Sequence, residues 1–93
     1  MKYIVLKTKV GDMEQRVPII FPDFLVHSDV AKYVAGMLIR IHDRDPNITV
    51  SSAGFIELGD VKCYGESETC KVKSNPDRDG GLIEMFEYTN GLV

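Results

Sequence analysis

The sequence predicts an α+β fold: an antiparallel sheet of four to five strands with two helices packed on one face, in the order β-β-α-β-β-(β)-α. Two Gly-Asp steps, at 11–12 and 59–60, each separate two apolar, β-branched runs, which is the pattern of a hairpin. Apolar residues recur at helical spacing once in the middle of the chain and once near its end. Hairpins interrupted by single helices favour an antiparallel sheet covered by helices.

The composition indicates one folded domain spanning residues 1–93. Hydrophobic residues make up 44% and charged residues 27%, which excludes a disordered chain. The net charge of −3 gives no basic face, so nucleic acid is an unlikely partner. Residues 43–93 carry five basic against ten acidic side chains. This acidic half suits either a basic partner surface or plain exposure to solvent.

The sequence also predicts a protein of the cytoplasm. No apolar run approaches the roughly 20 residues that cross a membrane. The opening "MKYIVLKTKV" lacks the apolar core and the cleavage site of a signal peptide. We therefore expect no membrane partner, and we expect Cys63 and Cys70 to be reduced thiols.

The first hairpin is predicted to pair strands 2–10 and 13–21. Pairing outward from the Gly-Asp turn sets Lys9 opposite Glu14, and apolar residues oppose one another further along. The run "YIVL" is apolar on both faces, which indicates a strand covered on both sides for part of its length. Pro18 cannot donate to a ladder, so the second strand is expected at an edge or kinked.

Two helices are predicted. The first spans about 29–42 with Ser28 as its N-cap, and its apolar stripe consists of Val30, Tyr33, Val34, Met37, Leu38 and Ile41. The second spans about 76–88, with a capping box that begins at Ser74 and with Pro76 in its first turn.

The second hairpin carries the candidate site. A two-residue loop at 59–60 sets Phe55 opposite Tyr64 on one face, with a charged pair beside them, and sets aliphatic residues on the other face. Whether 61–73 forms one strand or two stays open. Aromatic residues with a charged fringe are typical of protein contact surfaces, although a helix or the first hairpin could also cover them. The predicted partner-binding residues are Phe55, Glu57, Lys62, Tyr64 and Glu66.

Catalytic and metal sites find little support. The sequence has no C-x2-C or H-x3-H spacing, no nucleophile elbow and no P-loop, so we assign no catalytic residue, no metal site and no cofactor. A tight turn at 66–67 would set Cys63 opposite Cys70 and permit a disulfide. The stretch "HDRDP" offers His42, Asp43 and Asp45 for a cation or for acid–base work, or is a solvated loop.

Three segments, "VPIIFPDFLVHSDVA" (17–31), "VSSAGFIELGDVKCYGES" (50–67) and "SNPDRDGGLIEMF" (74–86), resemble a group of small proteins encoded by bacteriophages and prophages. The resemblance implies a small accessory protein in a bacterial cytoplasm and carries no activity. We therefore expect a non-enzymatic protein that binds a protein partner or itself through a sheet face. The alternatives are a small thiol-dependent enzyme or redox protein that uses Cys63 or Cys70, and a structural component of the virion.

Overall fold

The computed structural model describes residues 1–41 and 47–90, and so leaves His42, Asp43 and Asp45 outside the described residues. Along the chain the elements are β1 (Lys2–Val10), β2 (Met13–Phe21), α1 (His27–Ile41), β3 (Asn47–Glu57), β4 (Lys62–Tyr64), β5 (Glu66–Ser67), β6 (Val72–Lys73) and α2 (Pro76–Asn90). The first four strands form an antiparallel sheet in the order β2-β1-β3-β4, and β5 pairs with β6 in a small separate sheet. The α+β class and the antiparallel sheet are confirmed.

The first hairpin has the predicted register. Lys9 lies opposite Glu14, Leu6 opposite Val17, and the turn residue Gly11 has a φ of 61°. Pro18 lies in β2, which is an edge strand, as a residue without an N–H donor requires. The turn chemistry and the cross-strand pairs were sufficient to predict this part of the fold.

Strand β1 lies between β2 and β3, and its side chains supply both sides of the core. Tyr3, Ile4, Val5 and Leu6 are all buried. Successive side chains of a strand point to opposite faces, so Tyr3 and Val5 join one apolar cluster while Ile4 and Leu6 join another.

The two helices lie on opposite faces of the sheet, so the prediction that both pack on one face is wrong. Helix α1 packs against the cluster of Ile4 and Leu6, through Val30, Ala31, Val34 and Leu38. Helix α2 packs against the cluster of Tyr3 and Val5, through Leu82 and Ile83. The physical reason is the doubly apolar β1, because each of its faces needs a cover to exclude water.

Helix α1 begins two residues earlier than predicted. The carbonyl of Val26 accepts the N–H groups of Asp29 and Val30, both at 3.1 Å, so Val26 and not Ser28 is the N-cap. Valine has no side-chain acceptor for the exposed donors of the first turn. Thr69, in the turn between β5 and β6, supplies one instead, because its Oγ1 accepts the N–H of Ser28 at 3.2 Å.

Helix α2 is capped by Asn75, one residue after the predicted start of the capping box. The Asn75 carbonyl accepts the N–H of Asp79 at 2.8 Å, and its Oδ1 accepts the N–H of Arg78 at 3.5 Å. In return, Asp79 Oδ2 accepts the N–H of Asn75 at 2.9 Å. The prediction of Ser74 as the cap is therefore wrong, whereas Pro76 is the first helical residue, as predicted.

The segment 61–73 forms neither one strand nor two, because it contains the three short strands β4, β5 and β6. Strand β4 ends at Tyr64, Gly65 follows with a φ of 77°, and β5 and β6 then form a hairpin whose turn spans 68–71. The Gly65 carbonyl accepts the N–H of Ser74 at 3.0 Å and closes this hairpin. With the turn at 68–71 and not at 66–67, Cys63 and Cys70 do not face each other, and both are free thiols.

Replacing Gly54 by alanine is expected to destabilise the protein. A Cβ at this buried position would overlap the carbonyl oxygen of Tyr64 and lie 3.2 Å from Cβ of Ser74. We expect the free energy of unfolding, measured by urea titration, to fall by about 1–3 kcal/mol, the usual cost of overpacking. Gly81→Ala is the matched control: its Cβ meets open space within α2, so we expect a gain of about 1 kcal/mol. Equal stability of Gly54→Ala and wild type would contradict this account.

Candidate functional site

A row of four rings runs from the core to the surface. Phe21 and His27 meet edge to face with centroids 5.4 Å apart, and His27 meets Phe55 in the same way at 5.9 Å. Phe55 stacks on Tyr64 at 5.9 Å with 24° between the ring planes. Phe21 and His27 are buried, Phe55 is half-buried, and Tyr64 is 48% exposed. The row therefore holds an exposed tyrosine on a rigid aromatic support.

The β3–β4 pairing creates the outer half of this row. Phe55 lies opposite Tyr64, and Glu57 lies opposite Lys62 two residues nearer the turn, as the sequence predicted. Between them, Cys63 faces the α2 side of the sheet and is buried in its core. The aromatic face is partly covered, because the start of α1 packs His27 against Phe55, but Tyr64 keeps about half of its surface.

His27 is fixed at the centre of the row by a hydrogen bond. Its Nε2 lies 2.9 Å from the carbonyl oxygen of Gly54. A carbonyl only accepts, so Nε2 carries the proton and donates, and in the neutral ring Nδ1 is then an acceptor. This bond joins the first residue of α1 to β3 and sets the imidazole edge-on to both phenyl rings.

A cleft of about 460 Å³ opens beside the row. Its lining consists of Lys2, Val26, His27, Phe55, Gly65, Glu66, Glu68 and Thr69. Glu66 and Glu68 are exposed, and neither forms an ion pair within residues 1–41 and 47–90. The ammonium of Lys2 donates a hydrogen bond to the carbonyl of Leu25 at 2.9 Å. The cleft thus combines an aromatic wall with a net negative lining.

The β5–β6 hairpin places the acidic residues at the cleft. Thr69 Oγ1, which accepts the Ser28 N–H of α1, also lies 3.4 Å from Ser67 Oγ. Ser67 Oγ accepts the N–H of Cys70 at 3.1 Å, so the turn is held by its own side chains. Docking of this turn on the start of α1 sets Glu66 and Glu68 beside Phe55.

The structure brings together only part of the predicted set. Phe55 and Glu66 line the cleft and Tyr64 stacks on Phe55, whereas Glu57 and Lys62 are exposed residues outside the lining. The lining residues absent from the sequence prediction are Lys2, Val26, His27, Gly65, Glu68 and Thr69. Gly65 follows Tyr64 in the chain and so lies beside Phe55 through the predicted hairpin. Tertiary contacts bring the other five residues to Phe55, and no local spacing signals such contacts.

A second polar cluster lies under α2. The hydroxyl of Tyr3 donates to Asp79 Oδ2 at 2.6 Å, and both side chains are fully buried. Arg78 Nε lies 3.5 Å from the other carboxylate oxygen of Asp79. Burial and, after it, the hydrogen bond to Asp79 raise the pKa of Tyr3. Tyr3 therefore stays protonated as a donor and joins α2 to the central strand.

The thiol of Cys63 lies next to this cluster. Burial raises its pKa, and the hydrogen bond with Tyr3 opposes that change. A buried thiol with a raised pKa is mostly protonated at neutral pH, and the thiolate is the reactive form. Cys70 is half-buried in the β5–β6 turn.

No family model, curated protein or solved structure matches this chain. Among the described residues, no three or more His, Cys, Asp and Glu side chains are grouped closely enough to hold a metal ion. In the same part of the chain, no helix has both the length and the apolar character needed to cross a membrane.

The two thiols are expected to differ in reactivity. In a Cys70→Ser variant at neutral pH, we expect the remaining Cys63 to react with a disulfide reagent such as DTNB at least about 100-fold more slowly than in urea, because only local opening exposes it. In Cys63→Ala, the half-buried Cys70 should react much faster. Rapid labelling of Cys63 in the native Cys70→Ser protein would contradict the buried, protonated state and would favour the thiol-enzyme alternative.

Removing the hydroxyl of Tyr3 is expected to destabilise the fold. Tyr3→Phe leaves the buried carboxylate of Asp79 without its shortest hydrogen bond, at an expected cost of about 1–3 kcal/mol in the free energy of unfolding. Tyr64→Phe removes an exposed hydroxyl and should change this free energy by less than about 0.5 kcal/mol. Thermal and urea unfolding of both variants measure the difference, and equal effects would show that the Tyr3–Asp79 bond contributes nothing.

Proposed function

We propose that this protein is a non-enzymatic accessory protein of a bacteriophage or prophage that binds a partner protein in the bacterial cytoplasm. The observation that carries the proposal is the half-exposed ring of Tyr64, stacked on Phe55 at the edge of an open cleft. Binding energy in protein interfaces is concentrated in a few residues, with Tyr, Trp and Arg enriched among them.

The rigidity of the aromatic row supports a binding role. Tyr64 stacks on Phe55, and His27 holds Phe55 from the other side through its bond to Gly54. A side chain that is already ordered loses less conformational entropy when a partner binds than a mobile one does. The ring of Tyr64 is therefore already held in place before a partner binds.

The charge of the cleft favours a partner that presents lysine or arginine. Glu66 and Glu68 contribute two negative charges, and Lys2 offsets only one of them. A cation within about 6 Å of an aromatic face is attracted by the ring, and Phe55 lines the same cleft. A guanidinium there would meet both an aromatic wall and carboxylate acceptors.

The segments that resemble phage and prophage proteins also contribute the surface. Phe21 and His27 belong to the segment 17–31, while Phe55, Tyr64 and Glu66 belong to the segment 50–67. The resemblance and the aromatic row thus concern the same parts of the chain, which supports placing the function of such a protein at this surface.

Capture of partners from bacterial lysate tests the proposal with three folded variants. We expect wild type and Met13→Glu to capture the same partner, because Met13 is an exposed apolar residue in β2, outside the cleft. Tyr64→Glu should weaken the affinity by about 30-fold or more, the effect of losing an interface hot spot. The double variant Glu66→Lys, Glu68→Lys should also lose the partner, and added salt should weaken wild-type capture.

Equal capture by wild type and Tyr64→Glu would exclude this surface as the binding site. Loss of the partner with Met13→Glu as strongly as with Tyr64→Glu would move the site to the sheet edge. If the charge-reversal variant binds as wild type does, the partner does not present a basic group to the cleft.

A further inference from the structure

A second apolar surface lies on the outer side of α1, and it does not include the cleft. Phe24 is 83% exposed in the turn that Pro22 and Leu25 close with a 3.1 Å backbone hydrogen bond. Tyr33, on α1, is 70% exposed, and Leu25 and Met37 are also exposed. We name these four residues, Phe24, Leu25, Tyr33 and Met37, the α1 outer face.

A groove of about 380 Å³ adjoins this face. It is lined by Phe21, Leu25, Asp29, Val30 and Tyr33. An apolar cavity of about 150 Å³ already accommodates benzene, so the groove has room for the ring of a phenylalanine. Phe24 is next to the lining residue Leu25 in the chain, so one surface carries both a projecting ring and a groove that can receive one. An interface between two copies about a two-fold axis needs both such parts on one surface, because the same surface is used by each copy.

The charges on the same helix are also complementary to themselves. Asp29 and Lys32 are both exposed, and neither forms an ion pair within residues 1–41 and 47–90. A two-fold axis that is perpendicular to α1 and passes between Asp29 and Lys32 sets the α1 helices of two copies antiparallel. Asp29 of one copy then faces Lys32 of the other, and the pair forms twice.

The exposed area is adequate for a dimer contact. With aromatic side chains of about 150–250 Å² each, Phe24 and Tyr33 at their exposures present roughly 300 Å² per copy. Leu25 and Met37 add to this area. A standard interface buries about 800 Å² per partner, a little over half of it apolar, so the α1 outer face supplies most of the required apolar area.

We propose that the protein forms a homodimer through the α1 outer face, with Phe24 of each copy seated in the groove of the other. This contact uses neither Tyr64 nor the cleft, so each copy in the dimer keeps its partner-binding surface. The proposal of a dimer does not depend on the function proposed above.

Sedimentation equilibrium of the full chain tests the dimer between about 1 μM and 1 mM, where dimers with micromolar dissociation constants come apart. We expect wild type and Met13→Asp to dimerise equally, since Met13 is 71% exposed in β2, outside the groove. Phe24→Asp should raise the dissociation constant at least about 30-fold, because it puts a charge into an apolar groove. Phe24 is almost fully exposed in one copy, so this variant leaves the fold intact.

A charge exchange gives a second, specific readout. Asp29→Lys and Lys32→Asp are each expected to weaken the dimer about 5- to 10-fold, and the double variant should restore the affinity to within about threefold of wild type. A monomeric wild type, equal dimerisation of Phe24→Asp and wild type, or equal weakening by Met13→Asp would each overturn the proposal. Failure of the double variant to restore the affinity would overturn the antiparallel arrangement.

Discussion

The fold depends on the central strand β1, because both of its faces are apolar and both must be covered. Four consecutive residues of β1, Tyr3 to Leu6, are buried and belong alternately to the clusters under α2 and under α1. No arrangement with both helices on one face could remove all four from water. The central position of β1 in the sheet and the opposite placement of the helices follow from this single requirement.

Hydrogen bonds between distant parts of the chain then hold the two helices against the sheet. Thr69 accepts a hydrogen bond at the start of α1, His27 donates to β3, and Tyr3 donates to Asp79 in α2. Each bond satisfies a buried or helix-terminal group that would otherwise cost free energy. The first two of these bonds also bring together the walls of the cleft, so the site and the packing of α1 share the same supports.

Features set by neighbouring residues could be predicted from the sequence, and features set by distant residues could not. The pairing register of both hairpins is as predicted, including Phe55 opposite Tyr64, although the turn of the second hairpin spans 58–61 and not only 59–60. The N-cap of α2 lies only one residue from its predicted position at Ser74. The N-cap of α1 is misplaced because Thr69, 41 residues from Ser28, accepts the N–H of Ser28. The cleft was missed for the same reason. The two-sided apolar run of β1 predicts a strand that is covered on both faces, whereas the hairpin pattern alone predicts helices on one face of the sheet.

The central position of β1 also determines when the protein can fold during its own synthesis. Its first hairpin partner, β2, leaves the ribosome directly after it, but β3 follows only after α1, and α2 follows all six strands. The hydrogen bond from Tyr3 to Asp79 spans 76 residues. Until α2 emerges, one apolar face of β1 has no cover. The nascent chain therefore carries an exposed hydrophobic strand while the residues between Tyr3 and Asp79 are synthesised, a condition under which growing chains aggregate or require chaperones.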